Sequence, residues 1–241
     1  MPFSASDETH NFCQACQVRN RAICADLDED EIALLNSIGR RRALQAGEQF
    51  LWEGDEAVLV ANVVEGVLKL SSGTADGREQ IVGLVYPSDF IGRPFGTITP
   101  YGVEALTDAV VCVFHRVDFD RFTREHPRLE HKLLERTLTE LDRSRRWMLL
   151  LGRLTAEERV ASFMIEMAER LGSQGSVDDE GEAEIGFRLP LSRQQIADVL
   201  GLTIETVSRQ LSRLRQRGLV SMPSRRDIVI PNFDALMARA G

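Results

Sequence analysis

Apolar positions change their spacing several times along the chain. In Asp26–Asn36, Ile32 and Leu35, with Ile38 just beyond, fall on one side of a helical wheel, and the acidic start suits the positive end of a helix dipole. A short helix is predicted there. Between Ala43 and His115 the apolar runs are short and rich in Val and Ile. Turn signals divide them at Ala46-Gly47, Glu53-Gly54-Asp55, Glu65-Gly66, Asp76-Gly77, Pro87-Ser88-Asp89 and Thr107-Asp108. A turn about every ten residues predicts a β-sandwich or barrel, and Asp76-Gly77 between Leu68–Leu70 and Gln80–Leu84 predicts a hairpin. From Val117 to Arg170 the period is helical, with no Gly or Pro between Arg128 and Leu151. Gly172–Gly186 is rich in Gly, Ser and acid and reads as a linker to a small second domain over Leu189–Ala240.

The sharpest local pattern is Leu191–Gly218. Ser192 followed by Gln195 is a capping-box start, Ile196, Ala197 and Leu200 form an inner face, and Gly201 permits a left-handed turn. Thr203 then caps a second helix whose inner face is Val207, Leu211 and Leu214. Two helices joined by such a turn make a helix-turn-helix, whose second helix enters the DNA major groove. Its outward residues are Glu205, Ser208, Arg209 and Arg213. Arginine bonds guanine bidentately, and glutamate accepts from cytosine. Glu205 and Arg209 are also spaced to pair with each other along the helix. Leu219–Met222 and Asp227–Ile230 are predicted as two short strands flanking a tip with Arg225 and Arg226, a wing whose arginines are candidate phosphate contacts or a solubilising turn.

Charge sharpens this picture. The 241 residues carry a net charge of −8, which by itself argues against nucleic acid. Yet Arg188–Arg226 holds eight arginines against only Asp198 and Glu205, a local +6 on an acidic body. With 43% hydrophobic and 27% charged residues the chain reads as soluble and globular. No apolar run suits a transmembrane helix, and the polar, acidic N-terminus lacks a secretory signal pattern, so a cytoplasmic location with reduced thiols is expected. Cys13, Cys16, Cys24 and Cys112 are then candidates for a metal or redox site rather than disulfides. Cys112 alone, within Ala109–Phe114, also suits a buried small hydrophobe. No nucleophile–base set, phosphate loop or hydrolase motif points to an enzyme.

The chain resembles the Crp/Fnr family of bacterial transcription regulators over nearly its whole length. The likeness is carried by Ala46–Asp55, Val64–Leu70, Asp76–Gly83, Pro87–Gly92, Trp147–Arg159 and Leu200–Arg209. The resemblance implies an α+β protein: a cyclic-nucleotide-binding-type double-stranded β-roll, a long dimerisation helix and a C-terminal winged helix-turn-helix. The corresponding divisions are a cysteine-bearing arm over 1–25, the roll over 26–126, the dimerisation helix and hinge over 127–170, and the DNA-binding domain over 171–241. Members that bind cyclic nucleotides use a Gly-Glu loop and a following arginine. The matching Phe90–Leu106 has no Gly-Glu pair and no arginine after Arg93, and no cyclic nucleotide is expected.

The spacing Cys13-x-x-Cys16, then Cys24, with a distant Cys112, resembles the oxygen-sensing Fnr/FnrL-like branch. That likeness implies a [4Fe-4S] cluster on the four thiolates. A four-thiolate zinc site of purely structural role, or a sensor of haem, nitric oxide or a metabolite on the same scaffold, are the rival readings. Ile204 stands where Crp has the first arginine of Arg-Glu-x-x-x-Arg, and Ser208 precedes Arg209, which resembles the Fnr preference for TTGAT with its repeat ATCAA. The implied partners are double-stranded DNA, a second copy of the chain and RNA polymerase, the last with the Gly73–Arg78 turn as one possible contact.

Leu134, Leu141 and Met148 recur every seven residues with Leu138 between, a coiled-coil seam. Its polar position is Ser144 or Arg145, depending on register. Arg143, Arg145 and Arg146 are expected to face like charges from the partner helix and keep the dimer weak.

Overall fold

The computed structural model describes residues 12–73, 77, 79–177 and 183–240. The chain divides into two compact units, Met1–Leu70 with Leu84–Thr139, and Ser71–Gly83 with Glu140–Gly241.

The first begins with α1 (Glu29–Ile38) on a capping box: the Asp28 carboxylate accepts from the Glu31 N–H at 2.9 Å, and the Glu31 carboxylate accepts from the Asp28 N–H at 3.0 Å. Ile32 and Leu35 are buried. Eight strands follow: β1 (Gly39–Leu44), β2 (Gln49–Leu51), β3 (Leu59–Glu65), β4 (Leu68–Gly73), β5 (Glu79–Val85), β6 (Phe90–Gly92), β7 (Gly102–Ala105) and β8 (Ala109–His115). They form two four-stranded sheets, ordered β1-β8-β3-β6 and β2-β7-β4-β5. This is the expected roll. The predicted hairpin pairs β4 with β5, while residues 74–76 and 78 at its turn lie outside the described residues. Leu44, Phe50, Ala61, Val63, Leu68, Val103 and Val111 from both sheets fill the roll interior.

A second apolar layer covers the other side of the first sheet. β8 alternates: Ala109, Val111 and Val113 enter the roll core, while Cys112 and Phe114 join the second layer. There they meet Val60 of β3, Ile32 and Leu35 of α1, Phe119 and Phe122 of α2 (Arg116–Glu125), and Leu129 and Leu133 of α3 (Pro127–Arg153). Ile23 and Leu27, from the segment before α1, complete it.

Along α3, Leu134, Leu138, Leu141 and Met148 are 55%, 53%, 44% and 72% exposed, an unpartnered apolar stripe. Exposed Leu138 fixes the stagger as 134, 138, 141, 145 and 148, so Arg145 falls in line with the stripe. Ser144 is also exposed but one position aside. Arg145 is exposed and pairs with Asp142 at 3.3 Å. Arg143 departs from expectation. It is buried and bonds Glu166 of α4 (Ala156–Leu171) at 2.7 Å, so it ties two helices of one chain together rather than facing a partner helix.

The last part holds α5 (Arg193–Leu200), α6 (Ile204–Gln216) and α7 (Phe233–Met237), with a three-stranded sheet of β9 (Ser173–Val177), β10 (Ala183–Arg188) and β11 (Asp227–Ile230), ordered β11-β10-β9. Two expectations are corrected here. The supposed linker folds as β9 and β10, its turn at 178–182 lying outside the described residues. Alternating Ile185 and Phe187 pair with Ile230 and Ile228 of β11, and that apolar pairing outweighs the acid- and Gly-rich composition around it. Leu219–Met222 is not a strand. It supplies a single bridge, Ser221 to Val229, on the β11 edge that β10 leaves open. Among the described residues no helix is long and apolar enough to cross a membrane.

Gly66, between β3 and β4, has φ +84°, and a Cβ there would lie 2.5 Å from the Asp108 carbonyl oxygen. Gly66→Ala is therefore expected to destabilise the roll by more than the roughly 1–3 kcal/mol of a left-handed non-glycine residue, read as a lower urea midpoint with an unchanged slope.

Candidate functional site

Three strands place Cys112. Antiparallel pairing sets Arg41 of β1 opposite it on one side and Asn62 of β3 on the other. The outward turn of position 112, fixed by the apolar residues on either side of it, points the thiol at the segment before α1. That segment is a run of tight turns: the Arg19 N–H bonds the Cys16 carbonyl at 3.2 Å, and the Ala22 N–H bonds the Val18 carbonyl at 2.8 Å. Val18, Ala22 and Ile23 are buried and hold it down. All four cysteines consequently line one recess, together with Phe12, Arg19, Arg41, Asn62, Val64 and Phe114. None is in a disulfide.

The recess is chiefly apolar, and this governs the thiols. Burial, then the neighbouring cysteines, push Cys13 and Cys24 up to about 11. Burial raises Cys112 further, with Cys13, Cys24 and Cys16 adding to it. Arg19 and Arg41 act in the opposite direction on Cys13. These shifts mean first that a thiolate here is poorly hydrated, and second that its neighbours repel it. A positively charged inorganic centre relieves that repulsion, so the donor set suits a metal-based group that takes soft sulfur ligands. Among the described residues no group of three or more His, Cys, Asp or Glu side chains is placed to hold one metal ion. The four thiols surround a space instead of meeting at a point.

Arg19, Arg41 and Asn62 were not legible as site residues. Their signal lies in strand register and turn packing, which no local sequence pattern prints. Arg41 donates to the Phe12 carbonyl at 3.1 Å and stacks over its ring, closing one side of the recess.

The second candidate site is α6. Thr203 caps it, accepting from the Thr206 N–H at 3.3 Å, and Ser192 with Gln195 forms the predicted capping box on α5. Gly201 takes φ +60°, the left-handed turn that lets α6 follow α5. Val207, Leu211 and Leu214 are buried, as is Gln210. Glu205, Ser208, Arg209 and Arg213 are all exposed along the opposite face. The Arg209 guanidinium bonds the Thr206 hydroxyl at 3.4 Å, and the Glu205 carboxyl is held low by its own backbone N–H and by Thr203. Arg225 and Arg226 are exposed between Ser221 and β11, and Ser224 accepts from the Arg226 N–H at 3.2 Å. One anionic helix residue among exposed arginines is an arrangement for reading base edges beside phosphates.

Comparison with known proteins agrees with both halves. A model of the Crp-like helix-turn-helix domain matches residues 158–239, and one of the cyclic nucleotide-binding domain matches residues 41–126. The chain is 43% identical to the transcriptional activator protein FnrL of Cereibacter sphaeroides, over 95% of this chain and 92% of that protein. It is 38% identical to the nitrogen fixation regulation protein FixK of Bradyrhizobium diazoefficiens, over 88% and 87%. The solved structure of FixK2 from Bradyrhizobium japonicum superposes with a TM-score of 0.77 at 33% identity, covering 85% of this chain and 98% of that one. A roll, a long helix with an apolar stripe and a capped helix-turn-helix, joined to whole-length identity of this order, make the chain a member of the Crp/Fnr family of DNA-binding transcription regulators.

Proposed function

We propose that this chain is an oxygen-responsive transcription activator. It binds inverted-repeat DNA of the TTGAT/ATCAA type as a homodimer and does so when Cys13, Cys16, Cys24 and Cys112 hold a [4Fe-4S] cluster. The observation that carries the reading is that three cysteines of an N-terminal segment and one from the last strand of the roll line a single apolar recess. A cubane asks for one thiolate on each of four irons, not four on one ion. When bound, it supplies oxygen-labile iron–thiolate links between the segment and β8. The likeness to FnrL supports the same assignment.

The segment is joined to the dimer helix. Ile23 and Leu27 pack in one layer with Leu129 and Leu133 at the start of α3, and Lys132 of α3 pairs with Asp26 at 3.3 Å. Holding the three cysteines thus steadies the base of the helix whose exposed stripe begins at Leu134. Two recognition helices are needed for two half-sites, so dimerisation through that stripe controls DNA binding. The reading needs no cyclic nucleotide: Phe90–Leu106 has no Gly-Glu pair and no arginine after Arg93. The remaining partner is RNA polymerase, and the setting is the cytoplasm, where thiols stay reduced.

Anaerobically isolated protein is expected to be brown, with iron and acid-labile sulfide near four each per chain, and Cys112→Ser to lose both together with specific DNA binding. Colourless protein holding zinc would point instead to a structural metal site. In DNA binding, Arg209→Ala is expected to cost about 1–3 kcal/mol at the specific site and to relax preference at one G·C pair. Arg225→Ala should weaken specific and random DNA alike and reduce the salt slope by about one. Arg145→Leu places an apolar residue in line with the stripe. It should strengthen the dimer by about 1–3 kcal/mol and permit DNA binding by cluster-free protein; sedimentation showing a monomer like the parent rejects Arg145 as the weak point of the seam.

A further inference from the structure

Besides the thiols and two arginines, the recess is lined by one further polar side chain, Asn62. Asn62 sits on β3 between Val60 and Val64, at a position that turns toward the second apolar layer, and it is only 5% exposed. Its side chain lines the cysteine recess, and among the described residues its Oδ1 has no hydrogen-bond partner. A buried amide left without a partner costs on the order of 1–3 kcal/mol, and a valine, like its neighbours on the same face, would fill the space without that cost. The residue directly across the ladder is Cys112. Opposed residues in an antiparallel pair have Cβ atoms about 4.5–5.5 Å apart, within reach of a carboxamide and a sulfur atom. Rotation about the terminal torsion exchanges the amide oxygen for an NH₂ group with two donors. Thiol Cys112 offers a buried amide little. A ligating thiolate carries charge and is a good acceptor.

We propose that Asn62 is a positioning residue for the cluster, donating a side-chain N–H to the Cys112 thiolate sulfur when that sulfur ligates iron. This rests on the [4Fe-4S] reading above. The row Arg41–Cys112–Asn62 then has a division of labour. Arg41 is engaged with Phe12, and Asn62 is the uncharged donor beside the sulfur. A hydrogen bond to a ligating sulfur withdraws electron density from the iron and favours the more reduced state.

The test uses the full chain, reconstituted without oxygen, and the one-electron reduction of its cluster by dithionite-poised mediators, in which no bond is made or broken. Asn62→Val should keep its iron and sulfide but show a lower midpoint potential. At a fixed poise the reduced-to-oxidised ratio should fall about threefold to tenfold, the scale of one hydrogen bond to a charged acceptor. Asn62→Thr, which restores a donor, should recover part of the shift. If Asn62→Val is too poorly folded to load, the comparison passes to Asn62→Thr and Asn62→Asp. The isosteric Asp puts a negative charge beside the sulfur and should load less iron than Thr. Wild type and Asn62→Val with the same potential and full iron overturn the hydrogen bond and leave the cluster standing, as does equal loading of the Thr and Asp variants. Wild type without iron and sulfide removes the cluster reading, and this inference with it.

Discussion

The alternation of β8 is the constraint on which the rest of the molecule depends. Ala109, Val111 and Val113 must enter the roll core, because the residues they meet there come from both sheets. A strand has a period of two, so position 112 can only face the other way, and a slip of one residue would exchange every side chain on it. The apolar demand of the roll is thus what aims a thiol at the N-terminal segment. The same register, read across β1 and β3, brings Arg41 and Asn62 beside that thiol. The site is a by-product of packing a sandwich.

The segment that carries the other three cysteines is held mainly by apolar contact. Each fully buried Ile or Leu contributes roughly 1.5–3 kcal/mol, and Ile23, Leu27, Leu129 and Leu133 share one layer. The accompanying ion pairs, Asp26 with Lys132 and Asp28 with Arg128, are exposed on at least one side and contribute about 0–1 kcal/mol each. Loosening of the segment therefore reaches α3 through packing and not through charge. Farther along the same helix an exposed apolar stripe has Arg145 in line with it; under the proposed function that arrangement would give the marginal association a switch requires, since an equilibrium far to one side cannot be moved by a modest change.

The helix-turn-helix was legible almost residue by residue. Ser192, Gln195, Gly201 and Thr203 act within a single turn, through a cap or a left-handed φ, so their effect is fixed by neighbours in sequence. The strands of the roll were legible for a similar reason: turn residues and a period of two are local. The hairpin Ser173–Val177 with Ala183–Arg188 was not, because its composition is that of a linker and only pairing with β11 makes it a sheet.

The sequence by itself determined the elements of the roll, the capped DNA-reading helix, the seven-residue repeat of α3 and the presence of four thiols in a suggestive spacing. The tertiary structure decided which of these face one another. It turned Arg143 inward to Glu166 and left Arg145 outside, although both lie in the same run of arginines. It gathered Cys112 with Cys13, Cys16 and Cys24, and set Asn62 among them. The physical reason is range. Caps, turns and periodicity are energies between residues a few positions apart, whereas a recess is made by register and burial between segments far apart in the chain, where the whole core chooses the partners.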